Sequence, residues 1–328
     1  MNKSKVAVVI PYFQREKGLL EACVRSVISG KKVENLRVVV VDDGSPAPAA
    51  DELTDVMRDF SNVTVIRQEN SGPGAARNRG LESIDPDTEY VAFVDSDDRW
   101  EPAFLSDALF ALSNGGDLFF GDTQRFGNSQ TRFKWDAVPG YEFNPDRHIL
   151  IDASRKIYRF EGDFFDFAIF RSSIISTSTM VYRFAKFPAL RFSERLFNGQ
   201  DRLFKLSVSR NAKGIFFTAR VCAQEGRGVN IFDSSSWGSE KSLNLLYNYI
   251  KLSKCILKEI PMNDGQRSHV RSQLESSRYS FAATLLHLLA RGVRIDHGVL
   301  MGTFKADPAT AVCLMPNLLK VLIKKVCA

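Results

Sequence analysis

Three stretches of this 328-residue chain share one pattern, in which an apolar run stops abruptly at polar residues. VAVVI ends at Pro11-Tyr12, LRVVVV at Asp42-Asp43-Gly44-Ser45, and YVAFV at Asp95-Ser96-Asp97-Asp98. Apolar runs that do not alternate with polar residues belong to strands buried on both faces, the habit of parallel sheets. Between them, Leu19, Leu20, Cys23, Val24, Val27 and Ile28 recur at helical spacing, and further helices are predicted over 51–60, 75–81 and 102–112. Short strands are predicted at 63–66 and 117–121. The resulting alternation of strand and helix implies crossover connections and a mostly parallel, Rossmann-like α/β sheet flanked by helices. Ligands of such sheets bind beyond the C-terminal strand ends. The three polar clusters should therefore meet on one rim.

Residues 122–175 are rich in aromatics and arginine and show little period. Strands are predicted at 174–181 and 215–221, a loop and then a helix over 194–209, and helices from about 239 to the end. Asp233-Ser234-Ser235-Ser236 is the best candidate for a module boundary. Charge divides along similar lines. The chain carries 44 basic and 38 acidic residues, but residues 1–253 hold 33 of each, so the whole +6 falls on 254–328, with 11 basic against 5 acidic. A nucleic-acid binder would show its charge throughout, so that class is set aside. No apolar run reaches the ~20 residues that span a bilayer. The five apolar residues before Pro11 are too short for a signal peptide and read as a strand. Five scattered cysteines without a CxxC pair and four isolated histidines suggest neither disulfides nor zinc, and a reducing cytoplasm fits best.

Asp42-Asp43-Gly44-Ser45 taken alone reads equally as a turn. Asp95–Asp98 exceeds what one helix cap needs: three carboxylates within four residues repel one another unless a cation or hydrogen-bond donors intervene. A hard divalent cation held by one or two carboxylates and by substrate phosphates would resolve that repulsion. The segment QENSGPGAARNRG (68–80) is a glycine turn opening a helix of small residues. It lacks the Walker Lys-Ser/Thr and the dinucleotide glycine spacing, yet it permits close approach of a nucleotide, with Arg77 or Arg79 facing its charge. Helix–sheet packing with surface arginines is the plainer alternative.

VAVVIPYFQRE, VVVVDDGS, ENSGPGAARNRGL and YVAFVDSDDRWEP, in this order and spacing, make residues 5–121 resemble the catalytic core of family 2 glycosyltransferases, which have the GT-A fold. The likeness continues more weakly through 170–230. It implies a catalytic domain over 1–235, with a nucleotide-sugar half (1–121) and an acceptor half (122–235); the helical C-terminal region (236–328) lies outside the resemblance. It implies that Pro11 and Tyr12 line the nucleobase pocket, that Asp43 or its neighbour Asp42 hydrogen-bonds the base, and that Arg77 lies beside the nucleotide. Asp95 and Asp97 match the D-x-D motif, with Asp95 near the ribose and Asp97 on an Mn²⁺ or Mg²⁺ that bridges the donor diphosphate.

The resemblance also implies a general base at the start of a later helix. In FNGQDRLF (197–204), Asp201 takes that position and Gln200 replaces the usual Glu. Where many members carry a histidine near the metal, EGRGVN (225–230) places Arg227, which cannot bind a metal but can hold a departing diphosphate. Residues 231–238, with Trp237, are a candidate lid. The implied activity is metal-dependent, inverting transfer of a hexose, expected from a UDP-hexose, to a lipid-linked or oligosaccharide acceptor in bacterial surface polysaccharide or O-antigen synthesis. A nucleotidyltransferase, which shares related α/β folds and acidic metal sites but whose glycine- and lysine-rich NTP loop is lacking here, stays open, and Gln200 and Arg227 keep open a relic that binds without turnover.

The last predicted helix gathers Leu318, Leu319, Leu322, Ile323 and Val326 on one face and Lys320, Lys324 and Lys325 on the other. It either docks its apolar face on the body or lies on the anionic inner leaflet, making the enzyme a peripheral membrane protein of the cytoplasm.

Overall fold

The computed structural model describes residues 4–30, 33–134, 143–228, 239 and 241–326, with side chains to residue 323. The strands are β1 (Val6–Tyr12), β2 (Leu36–Asp43), β3 (Val63–Gln68), β4 (Tyr90–Phe93), β5 (Arg99–Trp100), β6 (Leu118–Gln124), β7 (Ile149–Asp152), β8 (Ile157–Arg159), β9 (Met180–Arg183) and β10 (Ile215–Gln224). The helices are α1 (Leu20–Ile28), α2 (Ala49–Glu52), α3 (Thr54–Asp59), α4 (Pro73–Ser83), α5 (Phe104–Ser113), α6 (Phe164–Phe170), α7 (Gln200–Asn211), α8 (Ser242–Glu259), α9 (Asp264–Ala290), α10 (His297–Ala306), α11 (Pro308–Val312) and α12 (Leu314–Val326). The chain divides into two compact units, Met1–Glu194 with Phe204–Val229, and Arg195–Leu203 with Asn230–Ala328.

The first unit holds one ten-stranded sheet in the order β3-β2-β1-β4-β9-β6-β10-β8-β7, with β5 beside β10. The pairings of β1 with β2 and β4, of β2 with β3 and of β6 with β10 are parallel; β9, β8 and β5 run the other way. The sheet is thus mixed, with most strands pointing one way. Valines 38–41 and Val8–Ile10 are fully buried, which is why these runs are apolar without alternation. The close seating of α4 on the sheet depends on Gly80: a Cβ there would stand 2.3 Å from Val9 Cγ1.

The order 3-2-1-4 reverses direction across β1, since β2 and β3 lie on one side of it and β4 on the other. That reversal is a topological switch point, where parallel sheets open a crevice at their carboxyl ends. The register pairs Tyr12 with Asp42 and Val9 with Phe93, so the ends of β1, β2 and β4 meet on the same rim.

The expected strand over 174–181 is shortened to β9. Ser172–Ile174 and Thr177–Thr179 are 3-10 turns instead. Their hydroxyls explain the break. Thr179 Oγ1 donates to the Gly121 carbonyl at 2.8 Å, and Ser178 Oγ accepts from the Asp95 N–H at 3.2 Å. Short Ser and Thr side chains compete in this way with a regular ladder.

The second unit is helical from α8 to α12 around a core of Leu243, Ile250, Leu274, Phe281, Leu285 and Leu288. A capping box of Asn263 and Gln266 starts α9. Asp307 accepts from Nε and Nη2 of Arg278 at 2.7 and 2.8 Å, and also from Thr310, tying α9 to α11. The α12 helix rests on α9 and buries Asn317 and Val321, whereas Leu319, Leu322 and Ile323 are exposed. Leu314 packs against the same helical core and Leu318 is half-buried, so part of the apolar surface of α12 docks within this unit. Val326 and the side chains of Lys324 and Lys325 lie outside the described residues, as does the boundary segment 233–236. No described helix is long and apolar enough to cross a membrane.

Candidate active site

Asp42 and Asp43 end β2 and both are buried, but their oxygens are already engaged. Asp42 accepts from the Ser45 and Ala49 N–H groups at 2.8 and 2.9 Å and from Arg67 at 2.8 Å, which fixes the turn between β2 and α2. Asp43 accepts from Gln68 and from the Ser71 and Gly72 N–H groups, each at 2.8 Å, and so holds the entry to α4. A carboxylate has about four lone-pair sites, so Asp43 keeps one for a further donor. The Tyr12 ring is buried, and its hydroxyl donates to the Ala47 carbonyl at 2.9 Å. Burial and then Glu52 push that hydroxyl up to about 12. Of the first-strand pair, Pro11 is the one that keeps exposed surface at the rim.

Arg77 is buried on α4 and donates to Asp95 Oδ1 at 2.5 Å, its guanidinium lying 5.3 Å from the centre of the Phe192 ring. Arg79 points elsewhere and pairs with Glu82 at the surface. The next residue, Asn78, is buried. It accepts from the Phe192 N–H at 2.8 Å and donates to the Phe192 carbonyl at 3.0 Å and to Glu194 at 2.7 Å. The Phe192 ring in turn stacks on Phe204 of α7 at 4.0 Å and meets Phe93 of β4 edge-on at 5.0 Å. Arg77, Asn78 and Phe192 thus link the acids after β4 to the body of α7.

Those acids are crowded. Burial, then the charge of Asp95, raises the carboxyl of Asp97 above its ordinary range; burial, then Asp95 and Asp97, raises Asp98 well above it. Backbone amides relieve part of this. The Gly228 N–H donates to Asp97 at 2.7 Å and the Gly226 N–H to Asp98 at 3.0 Å. Only glycine permits that approach: a Cβ on residue 226 would fall 1.9 Å from the Asp97 carbonyl oxygen, and one on residue 228 would fall 2.6 Å from Asp97 Cγ. Arg227, between the two glycines, lies with its guanidinium 4.5 Å from the centre of the exposed Phe126 ring. Glu225 anchors the loop by accepting from Arg132 at 2.6 Å. Behind the acids, the buried Cys23 thiol donates to the Asp95 carbonyl at 3.4 Å; burial first, then Asp98, raises it well above its usual value, so it stays a thiol.

Among the described residues, no group of three or more His, Cys, Asp and Glu is gathered to hold a metal by itself. Asp97 and Asp98 nevertheless suit a hard divalent cation. Their oxygens are the preferred ligand type, and the charges raising them, foremost Asp95, are negative. One or two carboxylates completed by substrate phosphates is the ordinary arrangement for Mg²⁺.

The expected residues at the ends of β1, β2 and β4 therefore share one rim, with Arg77 bonded to Asp95. Asp201 lies in the first turn of α7, which belongs to the second unit, while Phe204 belongs to the first. The lid 231–238 lies outside the described residues. Sequence reasoning missed Asn78, Phe192, Ser178 and the two glycines around Arg227. Only the glycines left a signal, since a Gly-Arg-Gly step after a strand marks close backbone approach.

Comparison with known proteins agrees with this fold. Residues 7–179, more than half of the chain, match the family model described as Glycosyl transferase family 2. The succinoglycan biosynthesis protein ExoW of Rhizobium meliloti is 32% identical over 258 residues, covering 75% of this chain and 76% of that protein. The structure of S. aureus TarS 1-349 aligns over 94% of this chain and 83% of its own with a TM-score of 0.60 at 19% identity, and its complex with UDP-GlcNAc over 93% and 80% with 0.57 at 21%. The mannosyltransferase PcManGT of Pyrobaculum calidifontis, in complex with GDP-Man and Mn²⁺, covers 99% of this chain and 88% of its own with 0.55 at 13% identity. The solved structures show the shared GT-A fold, and the family match with ExoW shows the lineage: the chain belongs to glycosyl transferase family 2.

Proposed function

We propose that this glycosyltransferase moves a hexose from a UDP-hexose to a lipid-linked or oligosaccharide acceptor during synthesis of a bacterial surface polysaccharide, with inversion at the anomeric carbon. The observation that carries the reading is the acid cluster Asp95–Asp98 at the switch point, with the buried Arg77 bonded to Asp95. The ExoW name supports a polysaccharide product, and the UDP-GlcNAc complex of TarS supports a uridine donor.

In this reading Pro11 and Asp43 face the base, Asp95 and Arg77 the ribose and nearby phosphate, and Arg227 the departing diphosphate. Asp97, with Asp98 beside it, would hold Mn²⁺ or Mg²⁺. That ion, when bound, supplies positive charge against the diphosphate. Asp201 takes the proton of the acceptor hydroxyl as its oxygen bonds to the anomeric carbon and the bond from that carbon to the diphosphate breaks. Displacement in one step needs no covalent sugar–enzyme species. Lipid-linked acceptors would place the enzyme at the cytoplasmic face of the membrane.

The test is a screen of UDP-, GDP- and dTDP-sugars for thermal stabilisation with Mn²⁺, followed by product analysis. Stabilisation by UDP-sugars and release of UDP are expected. Release of pyrophosphate would indicate nucleotidyl transfer, and stabilisation by no sugar nucleotide would overturn the donor assignment. Asp201→Ala should still bind UDP with Mn²⁺ while turnover falls at least about a hundredfold, the ordinary contribution of a general base. Undiminished turnover would remove Asp201 from the mechanism.

A further inference from the structure

Among the described residues, α12 buries Val321 and packs Leu314 against the helical core, yet four of its large apolar side chains stay exposed. Met315, Leu319, Leu322 and Ile323 are 64%, 56%, 46% and 62% exposed, while Asn317 and Val321 are 8% and 6% exposed. Helical spacing of 4, 3 and 1 residues sets those four side chains in one stripe along α12. Val312, at the end of α11, is 77% exposed and precedes Met315 by three residues.

Four large apolar side chains in water along one short helix are costly unless something covers them. The charge around them indicates what does. Residues 308–328 contain three lysines, Lys320, Lys324 and Lys325, and no acidic residue. Lys320 is exposed beside the stripe. Pairing the stripe with that of a second copy would bring like charges together and leave them uncompensated. An anionic bilayer surface answers both features: acyl chains take the leucines and isoleucine, and lipid phosphates meet Lys320 and balance the positive charge of this acid-free segment.

We infer that the outward face of α12 is a docking surface for an anionic lipid bilayer, on which the helix lies in the plane of the headgroups. The surface is read from α12 itself; only its purpose, holding the enzyme beside a lipid-linked acceptor, rests on the proposed function. Binding measured without donor or acceptor tests the first apart from the second.

The experiment is co-sedimentation of the full chain with vesicles of phosphatidylcholine alone and of phosphatidylcholine mixed with phosphatidylglycerol. Binding to the mixed vesicles, weakened by high salt, is expected. The variant Leu319→Gln/Leu322→Gln/Ile323→Gln should bind at least about tenfold more weakly, since it removes the apolar contact. Its melting temperature should match that of the native chain, because the three side chains are exposed. Equal binding by the variant, or no binding of the native chain to the mixed vesicles, would overturn the inference. So would a native dimer in gel filtration that the variant converts to a monomer, which would assign the stripe to a second copy.

Discussion

Substituting Gly226 by alanine tests whether the 225–228 loop belongs to the active site. Its added Cβ would lie 1.9 Å from the Asp97 carbonyl oxygen, where ordinary contact begins at 3.4 Å. The loop and the acid turn must therefore part by about 1.5 Å, and a displacement of roughly 1 Å in a catalytic site can cost about a hundredfold. The obstacle is backbone, so no side-chain rotation avoids it. Parting breaks the hydrogen bonds from Gly226 to Asp98 and from Gly228 to Asp97. Each hydrogen bond to a charged group is worth about 1.5–3 kcal/mol. Losing the equivalent of one from the bound state predicts roughly ten- to hundredfold weaker UDP binding. Calorimetric titration of UDP with Mn²⁺ reads this directly. Gly115→Ala is the control, since its φ of +93° carries local strain but its Cβ would meet nothing within 4 Å; it should leave UDP affinity unchanged. If Gly226→Ala folds and binds UDP within twofold of the native protein, the loop has no part in donor binding.

Asn78→Ala removes the hydrogen bonds that hold Phe192 and Glu194 to α4. Turnover should fall about tenfold by loosening of α7, with the donor KM changed less than twofold; an equal change in both on steady-state kinetics would contradict a positioning role. Gly80→Ala sets a Cβ 2.3 Å from Val9 Cγ1, so thermal melting should show a loss of about 1–3 kcal/mol from overpacking. Adding Val9→Ala should recover part of that loss, and a simple sum of the two single losses would refute the contact.

The sequence was most legible where one physical rule dominates. The runs 6–10, 38–41 and 90–94 are apolar throughout because both faces are buried, and their polar ends mark the rim that the structure realises. The helical pattern after 239 became α8–α12 for the same reason of burial on one face. Legibility failed where side chains answer to partners distant in the chain. The 3-10 turn at 177–179 follows from hydroxyls reaching Gly121 and Asp95, which no local window contains. The helix expected over 51–60 is interrupted at Leu53, and β5, β7, β8 and α6 passed unrecognised. At the site, the motif residues were found, but their partners within the protein were not legible. Asp42 and Tyr12 are spent on the turn after β2. Asn78 and Phe192, which show nothing in isolation, join the acid cluster to α7.

The central claim is that Asp97 holds the divalent ion through which the donor diphosphate is bound. Calorimetric titration of UDP into the native protein and into Asp97→Asn, each with and without Mn²⁺, addresses it directly. Native binding should strengthen at least about tenfold with Mn²⁺, in keeping with an added charge contact of more than 1.4 kcal/mol, and Asp97→Asn should lose that increment while keeping the metal-free affinity. An Asp97→Asn protein that remains folded and shows the same Mn²⁺-dependent gain would contradict the claim.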